Sequence, residues 1–307
     1  MQTKQDIELL LAGAGLKPNR RLGQNFLIDL NLMKLLVEAA GLTTQDVALE
    51  VGTGTGSFTE ELATRAGQVV TVEFDTGLGR LAASRLKAIE NVTLIQGDAL
   101  ESKNALNADV LAAVETAQAQ LAGRLLLTAN LPYSVGSAVM ANLIVGPLTA
   151  DKMAVTVQKE VADRMTATPG REEYGTLSIL MTATGHVQML RKLPASVFWP
   201  RPQVESAMVL FERDPGKVAQ IHDMATFRQV VTLFMGHRRK MLKACVKFAA
   251  GSLEKIRHWP TVFDEAFVDP HHRPLRHVVA QLEAHPPGAD VARLNRLRPQ
   301  PVAAGLA

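Results

Sequence analysis

Apolar residues along the first two-thirds of the chain gather in short uninterrupted runs, and between those runs they recur at helical spacing. The runs are "DVALEVG" from Asp46, "QVVTVEF" from Gln68, "NVTLIQGD" from Asn91, "RLLLTAN" from Arg124 and "KMAVTVQ" from Lys152. Runs without polar alternation suit strands that are covered on both faces. Helical patterns separate them: Ser57 to Arg65, Thr76 to Ile89, and the alanine-rich "NADVLAAVETAQAQLAG" from Asn107. Strands alternating with helices predict an α/β protein with a Rossmann-like, doubly wound, mostly parallel sheet.

After Tyr174 the pattern changes to "GTLSILMTATGHVQML" and then "ESAMVLFER", which predicts an antiparallel extension closing the sheet. Beyond a boundary near Asp214 the periodicity is helical, as in "FRQVVTLFMGHRRKMLKACVKFAAG", and predicts a small helical domain over 214–307. From His285 the chain is rich in proline, alanine and arginine, and a disordered tail with a short helix around Asp290 to Leu297 is expected. Near the other end, "IELLLAGAGL" (Ile7 to Leu16) reads as an amphipathic helix, because Asp6 and Glu8 oppose the cationic start of a secretory signal.

Composition narrows the partners more than the fold. Lys plus Arg number 33 against 30 Asp plus Glu, a net charge of +3, which permits an anionic partner without requiring one. The single cysteine, Cys245, excludes an internal disulfide and a multi-thiolate metal site, and fits a reducing compartment. His271 and His272 are adjacent, with no acidic or thiol partner at ligand spacing, so no metal is expected. No uncharged apolar run reaches the roughly 18 residues of a membrane span. A cytoplasmic protein with no membrane partner is the expectation.

Candidate chemistry lies where strands end. "LEVGTGTGSFTEEL" passes from a strand through Gly52, Gly54 and Gly56 into a helix, a turn in which a ligand can approach bare backbone. Its spacing is not that of a G-x-G-x-x-G dinucleotide fingerprint, because Ser57 stands three residues past Gly54. Glu73 ends the second strand, at the distance from the first glycine expected of an acid that binds a ribose diol, and Asp98 ends the third. Together these features describe a nucleoside site.

"NLPY", Asn130 to Tyr133, follows the fourth strand beside that site. An exocyclic nucleobase amine is a poor nucleophile, since its lone pair is delocalised into the ring. Two acceptors aimed at its N–H groups, the Asn130 amide oxygen and a main-chain carbonyl held by Pro132, would favour the pyramidal, reactive nitrogen. Tyr133 offers a face for a base flipped out of its stack.

The motifs "RRLGQNFLID" from Arg20, "EVGTGTGSFTEEL", "VEFD", "GDAL", "NLPY", "VQKEVADRM" from Val157, "PGREEYGTLSIL" from Pro169, "VFWPRPQVESAMV" from Val197 and "RRKMLK" from Arg238 occur in order. Over roughly residues 20 to 250 the chain thereby resembles the small-subunit rRNA adenine N6-dimethyltransferases. The resemblance implies a class I methyltransferase domain over 1–213 with S-adenosyl-methionine as donor. It also implies a helical rRNA-contacting domain after it, and a monomer is expected. The substrates implied are two adjacent adenines near the 3′ end of small-subunit rRNA, within a pre-ribosomal 30S-type particle.

By motif position, Asn25, Leu27, Gly54 and Asn130 would line the donor site, Gly52 would approach the methionine part, Glu73 would hold the ribose and Asp98 the donor adenine. Asn130, Leu131, Pro132 and Tyr133 would handle the target base, with Phe198 stacking on its other face. The chain departs from the family pattern at Thr53, usually proline, at Ser134, usually asparagine, and at His237, usually glutamine.

Arg238, Arg239, Lys240, Lys243 and Lys247 fall in one stretch of helical pattern. With Lys17, Arg20, Arg21 and Arg201 they form a candidate footprint for the rRNA backbone. Two other readings compete. A large-subunit rRNA adenine methyltransferase of the macrolide-resistance type shares several motifs, but the full "LGQNFL" and "QKEVADRM" matches oppose it. A non-catalytic ribosome-assembly or transcription factor on the same fold would have no need of an intact Asn130, Tyr133, Glu73 and Asp98.

Overall fold

A computed structural model of the chain describes residues 1–19, 22–250 and 253–254. Arg20 and Arg21, the histidine pair 271–272 and the expected tail with its helix lie outside the described residues. The chain divides into two compact units, Met1–Val218 and Ala219–Ala307. The break comes later than Asp214 because a short helix, Pro215–Val218, stays with the first unit: Lys217 Nζ donates to the carbonyls of Thr182 and Gly185.

The first unit is built on seven strands: β1 (Val47–Val51), β2 (Gln68–Glu73), β3 (Val92–Gln96), β4 (Leu125–Asn130), β5 (Lys152–Gln158), β6 (Gly185–Leu193) and β7 (Ser206–Arg213). They are ordered β3-β2-β1-β4-β5-β7-β6. The five strands from β1 to β5 are parallel to their neighbours, while β7 runs antiparallel to both β5 and β6. Every residue of β1 and the first five of β4 are buried, as continuous apolar runs require of strands covered on both faces.

Helices cover the sheet where local signals start and stop them. α1 (Lys4–Gly13) begins earlier than the apolar pattern alone indicates, because Thr3 and Asp6 form a reciprocal capping box. α2 (Leu30–Ala40) starts at Asp29, whose carboxylate accepts from the N–H groups of Asn31 and Leu32, and stops at Gly41 in a left-handed conformation. It buries Leu32, Met33, Leu36, Val37 and Ala40. α3 (Ser57–Ala63), α4 (Thr76–Leu86) and α5 (Ala108–Gln120) match the three expected helices.

One expectation needs correction. "GTLSILMTATGHVQML" is not all strand: Thr176–Thr184 is a helix, and only Gly185–Leu193 joins the sheet as β6. The hydroxyls of Thr182 and Thr184 bond back to the carbonyls of Ser178 and Leu180 at 2.7 and 2.6 Å, so these β-branched residues sit in the helix with their polar atoms satisfied.

In the second unit the helix Met224–Gly236, capped by Asp223, buries Phe227, Val230, Val231, Leu233 and Phe234. The basic stretch is not one helix. The helix ends at Gly236, residues 237–240 form a turn closed by Lys240 N–H on the His237 carbonyl at 2.8 Å, and a short helix follows at Leu242–Cys245. Glycine favours the stop, and the His237 ring stacks on Phe248 at 4.0 Å, which holds the turn.

Candidate active site

The strand order reverses between β1 and β4, and the crevice beyond their carboxyl ends is where sheets of this type bind ligands. A cavity of about 330 Å³ opens there. Gly52 and Gly54, after β1, adopt φ of 93° and 60°, values that side chains rarely take. A Cβ on Gly52 would lie 3.0 Å from Cγ of Pro132, so the glycine loop and the Asn-Leu-Pro-Tyr loop touch through the one position that has no side chain.

Glu73 ends β2 and is buried, 6 % exposed as a residue. One carboxylate oxygen accepts from Gly54 N–H at 2.8 Å and the other from Asp75 N–H at 2.9 Å, which fixes the group in the cavity wall. Burial raises its pKa, and those main-chain donors oppose the rise. Phe74, next in sequence, is 57 % exposed on the same wall, and Asp98 stands exposed beyond β3, accepting from Leu100 N–H at 3.0 Å.

Asn130 ends β4 with its amide oriented by two unlike partners. Its Nδ2 donates to the Asn25 carbonyl at 2.9 Å, and its Oδ1 accepts from the Thr156 hydroxyl. A carbonyl can only accept, so the pairing with Asn25 decides which end of the amide is which. Leu131 N–H donates to the Thr156 carbonyl at 3.1 Å, and Tyr133 shares a 2.5 Å hydrogen bond with Ser206 Oγ. Burial raises the Tyr133 pKa against that hydrogen bond, so the phenol stays neutral.

Residues 22–26 close the cavity from the remaining side. Gln24 Nε2 donates to Asp75 at 3.1 Å, and Phe26 stacks on Trp199 with ring centroids 6.2 Å apart. The two-stranded ladder Phe26–Leu27 with Phe198–Trp199 anchors this strap. Under the glycine loop lies a buried polar network in which Glu50 accepts from Thr59 and Thr71, and Thr53 pairs with Thr71. Burial pushes the Glu50 pKa up to about 8, against the two hydroxyl donors.

The cavity thus brings together Asn25, Gly52, Gly54, Glu73, Asp98, Asn130, Leu131, Pro132 and Tyr133. Phe198 stands elsewhere: it is 3 % exposed within the hydrophobic core and lines neither this cavity nor the smaller one beside it. Leu27, its partner in the ladder, is 6 % exposed and is absent from the wall of the larger cavity, where Phe26 stands, but it lines the smaller one with Phe26, Gly52, Gly54 and Asn130. Sequence reasoning passed over Gln24, Phe26 and Phe74, although an aromatic directly after the acid of β2 was a usable signal. Arg201 is exposed in the first unit, and Arg238, Arg239, Lys240 and Lys243 are exposed in the second, where Lys240 also lies over the Phe248 ring at 5.3 Å.

A seven-stranded sheet in which five parallel strands are continued by β7, antiparallel to its neighbours, and then β6, with a glycine loop and an acid at the ends of its first two strands, defines the class I methyltransferase fold. Two solved structures share it: a dimethyladenosine transferase from Plasmodium falciparum and the 23S rRNA methyltransferase ErmE. The first has TM-score 0.58 and 22% identity, and the match covers 80% of this chain and 83% of that one. The second has TM-score 0.55 and 21% identity, covering 85% and 98%. The chain belongs to the ribosomal RNA adenine dimethylase family, whose model matches residues 15–271. It is 38% identical to the ribosomal RNA small subunit methyltransferase A of Pelotomaculum thermopropionicum, over 84% of this chain and 87% of that protein. With the protein of the same name from Geobacillus thermodenitrificans it shares 35% identity, over 86% and 88%.

Proposed function

We propose that this chain transfers methyl groups from S-adenosyl-methionine to the N6 atoms of two adjacent adenines near the 3′ end of small-subunit rRNA, giving N6,N6-dimethyladenines in a pre-ribosomal particle. The observation that carries the reading is the contact of the glycine loop with the Asn-Leu-Pro-Tyr loop through Gly52 and Pro132, in one cavity with Glu73 and Asp98. The residues fit the donor: an uncovered glycine backbone for its methionine part, a buried carboxylate with lone pairs to spare for ribose hydroxyls, and the exposed Phe74 as a flat apolar surface for its base. When bound, S-adenosyl-methionine supplies an electrophilic methyl group.

The chain's part is to prepare the nucleophile. Asn130 Oδ1 accepts from one N6–H of the target adenine and a main-chain carbonyl beside Pro132 from the other, which favours pyramidal nitrogen without a strong base. Tyr133 stacks on the flipped base. Ribose hydroxyls donating to Glu73 favour its charged form and so oppose the rise in pKa that burial imposes. Arg201 and the basic turn Arg238 to Lys240, with Lys243, contact rRNA phosphates.

The test is transfer of labelled methyl groups to isolated small subunits that lack the modification, followed by mapping of the labelled nucleotides. Label confined to two adjacent adenines near the 3′ end is expected, and label in large-subunit RNA instead overturns the assignment.

A further inference from the structure

We infer that Thr156 is a positioning residue for methyl transfer, acting through Asn130; the inference rests on the role of Asn130 proposed for this site. Asn130 and Thr156 are register partners on β4 and β5, so their side chains leave the same face of the sheet. Thr156 is 1 % exposed, and its hydroxyl donates to Asn130 Oδ1. The same residue's carbonyl accepts from Leu131 N–H at 3.1 Å, so Thr156 grips the loop at both its side chain and its main chain.

An amide oxygen offers two lone pairs. The Thr156 hydroxyl takes one, and the other remains for an N–H of the target amine. With Nδ2 held on the Asn25 carbonyl, the amide plane has no rotation left that keeps both bonds. Without the hydroxyl, Oδ1 loses the donor that fixes it in the free protein, and the amide swings about the bond to Asn25. The oxygen that must meet the N6–H is then present but misaimed, a defect that slows the chemical step and leaves the methyl donor's own binding intact.

Thr156→Val removes the hydroxyl and keeps the shape. In single-turnover methyl transfer to unmodified small subunits, with donor affinity measured by calorimetry, the rate is expected to fall about fivefold to tenfold, the worth of one aligned hydrogen bond, with donor affinity unchanged. Thr156→Ser, which keeps the hydroxyl and loses the methyl group, should restore most of the rate. In an Asn130→Ala background, Thr156→Val should slow transfer no further, which a general packing defect would not reproduce.

A Thr156→Val protein at the parent rate, alongside a slow Asn130→Ala protein, overturns this inference and leaves the role of Asn130 standing. A Thr156→Ser protein as slow as Thr156→Val overturns it too, since packing is then responsible. Should Asn130→Ala itself run at the parent rate, the catalytic role of Asn130 fails, and the inference with it. If Thr156→Val does not fold, the comparison of Thr156→Ser with Thr156→Ala decides by the same criterion.

Discussion

Replacing Gly52 by alanine should damage the donor site and the target site together, because the missing Cβ is what lets their loops meet. Gly52 holds φ at 93°, and its N–H donates to the Val72 carbonyl at 2.9 Å, which pins the backbone against relaxing to a negative φ. An alanine kept in that conformation costs about 1 to 3 kcal/mol. Its Cβ would also lie 3.0 Å from Cγ and 3.1 Å from Cδ of Pro132, closer than ordinary contact. Relief has to come from the proline, and Leu131 before it is tethered to Thr156, so the strain passes into the loop that carries Asn130. Strain that stays in place lowers folding stability by about 2 kcal/mol, and whatever part of it the free protein sheds by shifting the Pro132 loop must be restored when the donor binds, so donor binding weakens by up to roughly thirtyfold, with slower transfer on top of it. Calorimetric titration of the donor and single-turnover transfer measure the two effects, and thermal unfolding checks that the protein stays folded. Gly13→Ala, where a Cβ meets nothing within 4 Å, is the control. A folded Gly52→Ala protein with parent donor affinity and parent transfer rate would refute the reasoning.

Glu73→Ala should weaken donor binding about tenfold or more, because charge-assisted bonds to the donor disappear, and lower the unfolding temperature by stranding the N–H groups of Gly54 and Asp75; an unchanged affinity in titration sinks the ribose assignment. Alanine at Arg238, Arg239 and Lys240 together should flatten the dependence of log rRNA affinity on log salt, by about 0.7 to 0.9 for each phosphate that is no longer neutralised, and spare donor binding; an identical slope returns the turn to plain solvated surface. Glu50, raised from 4.5 to about 8, binds a proton in the folded protein that it gives up when unfolded, so its contribution to stability is fully present below about pH 4.5 and declines as pH rises toward 8. Denaturant midpoints across that range should fall in the parent and stay flatter in Glu50→Gln, and equal slopes in the two would show that Glu50 is not the group responsible.

The parallel core was readable because β1, β2, β4 and β5 are buried almost throughout, and strands covered on both faces show long apolar runs with only isolated polar residues such as Glu50, Thr71, Thr128 and Thr156. The same logic misled at Thr176–Thr184. That segment is apolar, β-branched and short, features that a buried helix and a buried strand share. The difference lies in bonds that the pattern does not display, the hydroxyls of Thr182 and Thr184 turned back on their own helix and the Ser178 hydroxyl on the Arg164 carbonyl. The basic turn was missed for a related reason. Arginine and lysine are good helix formers, and it is the stacking of His237 on Phe248, a contact formed only in the folded chain, that holds residues 237–240 out of the helix.

Site residues were legible where topology turns position in sequence into position in space. Residues at or just past the carboxyl ends of the parallel strands stand at the edge where the crevice opens, and Gly52, Glu73, Asp98 and Asn130 all do. Leu27 and Phe198 do not. They belong to a two-residue ladder whose facing depends on a one-residue choice of register, and a shift of one residue exchanges Leu27 for Phe26 and Phe198 for Trp199. Motif position identifies the segment in such cases without fixing which of its side chains lines which cavity. Thr156 is the converse case. Nothing in "KMAVTVQ" marks its threonine as different from the surrounding apolar residues, and only the pairing of β4 with β5 sets its hydroxyl against the amide of Asn130. The orientation of that amide is therefore a property of the assembled sheet, and a search for chemistry confined to loops would pass over the buried strand residue that determines it.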